Sequence, residues 1–246
     1  MIFELDCGNS FIKWRVMDAN AGAVVVQGVS ASAVELLEGL SDVFKGKISR
    51  IRLVSVRGEG ETDELCVCLS NALGVVVERA SPSIQLGGVV NGYIEPQRLG
   101  MDRWLAMVGA FQLRRNAMMV IDLGTAVTID FVDAQGKHLG GYITPGVPLL
   151  RHQLQVHTHR IGYIPDDLAL SRTETEPGRT TAEAVGRGCL LMLRGFVSSQ
   201  IAQATTLLGS DFDTYTTGGD AALIGDFPQV QCVPDLVFRG LAVACP

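Results

Sequence analysis

Apolar and polar positions change their period repeatedly along the chain, and each change marks an element. Residues 1–6 (MIFELD), 11–19 (FIKWRVMDA) and 22–29 (GAVVVQGV) are short apolar-rich runs divided by Gly-Asn-Ser and Asn-Ala-Gly. This predicts three successive strands joined by turns. Between Ser30 and Phe44 apolar residues recur at helical spacing behind serine, predicting one capped helix. A strand over 48–56, a helix over 61–73 ending near Gly74, and a strand over 74–80 follow. Residues 81–99 read as a loop containing Pro and Gly. Residues 101–116 (MDRWLAMVGAFQLRRN) then set Trp104, Leu105, Val108 and Phe111 on one face of a helix.

The pattern then starts again. Residues 117–146 predict strand, Gly turn, strand, Gln-Gly turn and strand. A helical pattern lies near 146–156, a polar loop with Pro165 and Pro177 runs to 179, and one long helix is predicted over 181–208. Residues 214–224 (TYTTGGDAALI) read as strand, Gly turn and helix start, and 234–244 as a closing helix. Leu5-Asp6-Cys7-Gly8-Asn9-Ser10 overlays Ile121-Asp122-Leu123-Gly124-Thr125-Ala126 at an offset of 116 residues (6 to 122). Self-similarity at half the chain length predicts two related lobes facing one another, over residues 1–116 and 117–246.

Composition narrows the class. With 47% apolar and 19% charged residues, the 246-residue chain has enough apolar side chains for a packed core and is unlike a disordered one. A formal charge of −6 argues against non-specific nucleic-acid binding. Glu4 and Asp6 directly after MIF do not make a signal peptide, and no apolar run reaches the ~18 residues of a membrane span; GCLLMLRGFV is broken by Arg194. Six cysteines without CxxC spacing predict reduced, mostly buried thiols in a cytoplasmic protein. His152, His157 and His159 lack the partners of a zinc site, so zinc is not expected.

The two Asp-x-Gly turns carry the candidate chemistry. Glycine lets backbone N–H groups approach a ligand, and Asn9, Ser10, Thr125 and Thr128 can donate to phosphate oxygens. Lys13 can bring a mobile positive charge to the same point. Aspartates beside phosphate act through a cation, for which magnesium is the usual choice. A single such turn is ordinarily just a hairpin; two that open matching three-strand segments are harder to set aside. Thr217-Gly218-Gly219-Asp220 adds a third Gly-rich turn ahead of a helix start, suited to a nucleotide's base, sugar or phosphate and equally to a plain connection. Neither G-x-x-x-x-G-K-[ST] nor a strand-borne G-x-G-x-x-G occurs, so any ATP site is built from hairpins.

Five motifs, in order, resemble the type III pantothenate kinases of the actin/hexokinase/Hsp70-like superfamily. They are Asp6-x-Gly8-Asn9-Ser10-x-x-Lys13, Gly100-Met101-Asp102-Arg103, Asp122-x-Gly124-Thr125-Ala126-x-Thr128, Gly140-Gly141-x-Ile143-x-Pro145-Gly146 and Thr217-Gly218-Gly219-Asp220. The resemblance covers essentially the whole chain. It implies an α/β fold of two duplicated ribonuclease H-like lobes, ATP in the cleft between them and pantothenate on the N-lobe side. It implies a dimeric cytoplasmic enzyme that makes 4′-phosphopantothenate from pantothenate and ATP, the first step towards coenzyme A. Magnesium and a monovalent cation, potassium or ammonium, come with it.

Carried over by position, Asp6, Cys7, Gly8, Asn9, Ser10, Phe11, Ile12 and Lys13 would hold ATP phosphates, Thr125 would contact ATP, and Gly218 and Gly219 would form the adenosine turn. Asp122 would hold the monovalent cation and Asp6 magnesium. Tyr93, Gly100, Met101, Asp102, Arg103 and Thr181 would contact pantothenate, with Asp102 as catalytic base. The chain departs from the family pattern at Ser10, where threonine is usual, and at Thr180, where asparagine is common.

Taken without the resemblance, several of these residues have plainer roles. Asp102 in a helix's first turn stabilises the helix dipole with no chemistry at all. Arg103 either clamps a carboxylate bidentately or is a surface or ion-pair arginine; Tyr93 lines a pocket or closes a loop. Thr144-Pro145-Gly146 ends a strand and starts a helix, with proximity to phosphate a second possibility. Trp14 and Trp104 belong to the core. A kinase for another small hydroxylated metabolite and a non-catalytic nucleotide-binding regulator are the rival readings.

Overall fold

A computed structural model of the protein describes residues 1–158, 161 and 176–246. His159, Pro165 and most of the polar loop expected before 179 lie outside the described residues. The chain divides into two compact units, Met1–Arg115 with Asp235–Pro246, and Asn116–Pro234.

The first unit holds a sheet of β1 (Ile2–Cys7), β2 (Ile12–Met17), β3 (Val24–Ser30), β4 (Arg50–Ser55) and β5 (Val77–Arg79), in the order β3-β2-β1-β4-β5. The three opening strands form the expected antiparallel meander; β4 and β5 add in parallel, each through a helical crossover. Alternation along β1 puts Phe3, Leu5 and Cys7 into a core shared with Ile12, Trp14, Leu53 and Leu69. Phe3 and Trp14 meet edge to face at 6.1 Å. The opposite face carries Glu4, 1% exposed, which accepts from Arg15 Nε (2.6 Å) and Arg52 Nη1 (3.0 Å).

The helix expected over 30–44 is two helices, α1 (Ala33–Gly39) and α2 (Asp42–Lys45). Leu40 is extended, and Ser41 caps the second helix as Ser32 caps the first. The crossover to β5 is α3 (Glu59–Leu73), closed by Gly74 in the left-handed conformation. The 81–99 segment is not wholly irregular: β6 (Gln85–Leu86) and β7 (Val89–Val90) pair around Gly87-Gly88, both at positive φ. Next comes α4 (Met101–Arg114), which contains Trp104 at 1% exposure.

The second unit repeats the order. β8 (Met118–Leu123), β9 (Ala126–Val132), β10 (His138–Pro145), β11 (Asp213–Thr217) and β12 (Val230–Cys232) run β10-β9-β8-β11-β12, again a meander followed by two parallel strands. β12 has three residues, too few to leave a period in the sequence. Gly146 ends β10 and caps α5 (Val147–His157). The long helix α6 (Thr181–Leu208) packs Val185, Leu193, Val197 and Ala204 against Ile121, Val127 and Ile129.

The closing helix α7 (Leu236–Ala244) corrects the expected division. Residues 235–246, read as part of the second lobe, belong to the first unit. The cause is a glycine at each side of the α4–α7 crossing. A Cβ on Gly240 would stand 2.0 Å from the Leu105 carbonyl oxygen, and one on Gly109 2.2 Å from that of Leu236. Only glycine lets the two backbones approach this closely. Ion pairs fix the entry to α7: Asp235 accepts from Arg15 (3.2 Å) and Arg239 (2.7 Å), and Arg15 also lies over the Phe238 ring at 4.6 Å.

Candidate active site

In the first unit, β1 and β2 stand in a register that sets Asp6 opposite Lys13 and Cys7 opposite Ile12. Residues 8–11 connect them, and the Gly8 N–H donates to the Phe11 carbonyl at 3.0 Å. Gly8 does not use positive φ; a Cβ there would be 3.3 Å from the Phe11 oxygen, so its smallness serves the tight return. Asn9, Ser10, Phe11 and Lys13 are exposed, and Asp6 is half-buried. Cys7 and Ile12 are fully buried in the core, so only their backbones can serve a ligand. Burial, with Asp6 nearby, pushes the Cys7 thiol up to about 12 and keeps it neutral.

The second hairpin is shorter. Asp122 stands opposite Thr128 and Leu123 opposite Val127, leaving only Gly124, Thr125 and Ala126 between the last paired residues. Two further glycines press on it. Gly146 donates its N–H to the Thr125 carbonyl (2.9 Å), and a Cβ there would be 2.2 Å from the Gly124 oxygen. Gly218, at φ 95°, would bring a Cβ to 2.3 Å from the Leu123 oxygen and 2.4 Å from Asp122 Oδ1. The Asp220 N–H donates to the Leu123 carbonyl at 2.9 Å. The second and third Gly-rich turns are therefore one packed structure, with Asp122 half-buried and Thr125 and Gly219 exposed.

The Tyr93 and Gly100–Arg103 positions also come together, within the first unit. Arg103 is 6% exposed; its Nη1 donates to the Tyr93 hydroxyl at 2.6 Å, and its guanidinium lies 5.5 Å from the Tyr93 ring centroid. It is not a surface arginine. The Tyr93 N–H donates to Asn91 Oδ1 (3.0 Å), and Asn91 Nδ2 reaches the Pro96 carbonyl (3.1 Å), so the loop arrives at α4 preformed. Gly100 caps α4 without a side chain, and Asp102 Oδ1 accepts the Arg103 N–H at 2.8 Å. Asp102 thus performs the helix-end role that its position predicts.

A groove of about 490 Å³ in the same unit is lined by Ser55, Val56, Arg57, Arg98, Gly100 and Met101, among others. Neither Tyr93 nor Asp102 lines it. Thr181, the last of the residues that the resemblance assigns to pantothenate, opens α6 in the second unit and is exposed. The variant Thr180 is the helix N-cap: its hydroxyl accepts the Glu183 N–H (3.2 Å), while the Glu183 carboxylate accepts the Arg179 N–H (2.7 Å) and is held below its usual range by that bond. Arg57 was not singled out in the sequence, yet its Nε donates to the Gly8 carbonyl at 2.8 Å. Nothing local in the sequence brings residue 57 to residue 8; the β1–β4 pairing does.

Two sheets that each run as a meander followed by two parallel strands, with an Asp-x-Gly hairpin between the first two strands of each, give a duplicated α/β fold of the actin/hexokinase-like class. Solved structures agree on the fold. A conserved protein from Campylobacter jejuni assigned to the Baf family of transcriptional activators is similar with a TM-score of 0.62 at 21% identity, over 98% of this chain and 96% of that one. Acetate kinase from Porphyromonas gingivalis is similar with a TM-score of 0.56 at 11% identity, over 99% and 98%.

Within that class the sequence is specific. A family model described as type III pantothenate kinase matches residues 2–203. A type III pantothenate kinase from Pseudomonas fluorescens (strain SBW25) is 53% identical over 249 residues, 100% of this chain and 99% of the relative. The chain belongs to the type III pantothenate kinase family.

Proposed function

We propose that this protein catalyses the ATP-dependent phosphorylation of pantothenate to 4′-phosphopantothenate, the first step of coenzyme A biosynthesis. The observation that carries this is the full-length identity to a type III pantothenate kinase, spanning both Asp-x-Gly hairpins. The enzyme is a phosphotransferase with an alcohol as acceptor.

Phosphoryl transfer asks a protein mainly for positioning and charge neutralisation. The exposed amides and hydroxyls of the 8–11 turn, with Lys13 opposite Asp6, supply donors and a positive charge for phosphate oxygens. Thr125 serves ATP from the second hairpin, and the Gly218-Gly219 turn, packed on that hairpin, carries the adenosine. Arg103, its planar fork set by Tyr93, pairs with the pantothenate carboxylate, while Gly100 and Met101 line the groove beside it. Thr181 adds a hydroxyl from the start of α6. Asp102 is the base that takes the proton of the attacking hydroxyl.

An ATP-using kinase requires a divalent cation. Asp6 and Asp122 each bring one half-buried carboxylate to an exposed turn, a donor set that suits magnesium. Magnesium is characteristically held by one or two carboxylates, waters and the nucleotide's own phosphates. Asp6, half-buried at its strand end, would hold it, and Asp122, walled in by the Gly218 backbone, would hold a potassium or ammonium ion. When bound, these ions neutralise the charge that develops on the phosphate oxygens.

The protein acts as a cytoplasmic homodimer. Exposed Leu191 and Met192 on α6 support a covered apolar face, and the six free cysteines suit a reducing compartment. Among the described residues no helix is long and apolar enough to cross a membrane.

A coupled ADP-release assay over a panel of small alcohols, with and without pantothenate, tests the reaction. ADP should appear with pantothenate and with none of the others. Release with a different alcohol, or with none despite nucleotide binding, rejects the assignment.

A further inference from the structure

We infer that Arg57 is a positioning residue for ATP, acting through the Gly8–Asn9 peptide of the first Asp-x-Gly turn. The inference rests on the reading that this turn holds ATP phosphates. The Arg57 Nε–H donates to the Gly8 carbonyl at 2.8 Å. The peptide bonds are trans, so the carbonyl of Gly8 and the N–H of Asn9 lie in one plane and point in opposite directions. Holding the carbonyl towards Arg57 therefore aims the Asn9 N–H away from it, on the side open to a ligand. The guanidinium charge also polarises that peptide and makes its N–H a stronger donor.

Arg57 is itself held at several points. Its backbone N–H donates to Ser55 Oγ (3.1 Å), and Ser55 Oγ is hydrogen-bonded to Thr62 Oγ1 (2.8 Å), which is fully buried. Nη1 pairs with Glu61 in the first turn of α3 at 2.7 Å. The arginine side chain is 11% exposed. One residue earlier, the Val56 N–H donates to the Cys7 carbonyl at 3.1 Å, so residues 56 and 57 grip two consecutive carbonyls at the end of β1. A solvent-facing turn is thus tied to β4 and to the helix α3 that follows it.

The test compares Arg57→Met, which keeps the stem without a donor, and Arg57→Lys, which keeps the charge without the planar fork. Affinity for a non-hydrolysable ATP analogue is measured by calorimetry for the parent and both variants, beside KM for each substrate and kcat. Arg57→Met should weaken analogue binding and raise the ATP KM about tenfold, as expected for losing a charged hydrogen bond. The pantothenate KM should stay within about twofold, and Arg57→Lys should fall between parent and Arg57→Met. Parental analogue affinity in a folded Arg57→Met overturns the inference. So does a rise in the pantothenate KM alone, which would make Arg57, at the wall of the groove, a substrate contact. If Arg57→Met does not fold, unchanged analogue affinity in Arg57→Lys overturns it. A parent that binds the analogue but does not phosphorylate pantothenate defeats the kinase reading and leaves the Arg57 comparison intact.

Discussion

At the scale of single residues, the site is made of groups that do two things at once. Asp102 accepts the N–H of Arg103 at the start of α4 and is proposed to accept the proton of the substrate hydroxyl. The helix end needs only an acceptor oxygen, so Asp102→Asn should fold normally and bind ATP with parental affinity. Turnover should fall by about 10²–10⁴-fold, the usual worth of a positioned base. Circular dichroism, nucleotide titration and steady-state rates check this; near-parental turnover means that another group takes the proton. Asp6, Gly8, Asp122 and Gly218 stand out in the sequence as candidates because each lies in a short motif whose chemistry is local. Arg57 does not, since its partner Gly8 is far along the chain and the contact exists only once β1 and β4 are paired.

At the scale of elements, glycine decides which surfaces can touch. Gly146 and Gly218 let two other segments close on the Asp122–Thr125 turn, and Gly109 and Gly240 let α4 and α7 cross at backbone distance. Gly240→Ala would drive a methyl group into the Leu105 carbonyl, and overpacking of this kind costs about 1–3 kcal/mol. Urea unfolding should show that loss. Gly219→Ala, where a Cβ meets nothing within 4 Å, should be nearly neutral in the same measurement. A Gly240→Ala variant of parental stability means that the crossing relaxes freely. Periodicity located the strands of both meanders and the long helices, but read α1 and α2 as one helix. Ser41 fits helix periodicity, and only the extended Leu40 and the Ser41 cap reveal the break.

At the scale of the whole molecule, stability should carry a signature of buried thiols. The Cys7 thiol, raised from 9.0 to about 12 by burial, stays protonated in the folded chain while its unfolded counterpart ionises. Its contribution is therefore complete below about pH 9 and is lost as pH climbs towards 12. Urea midpoints should fall as pH rises from about 9 towards 12, and Cys7→Ala should make that decline shallower. An equal slope in the variant assigns the loss to other groups. The duplicated strand–turn–strand pattern, the absence of a P-loop and the order of five motifs needed no coordinates, because they depend on neighbours along the chain. The allocation of the last helix to the first unit, the seating of the Gly218 turn on Asp122 and the grip of Arg57 on Gly8 depended on coordinates. Each is a contact between residues distant in sequence, set by backbone approach and strand register, and neither leaves a periodic trace in the order of amino acids.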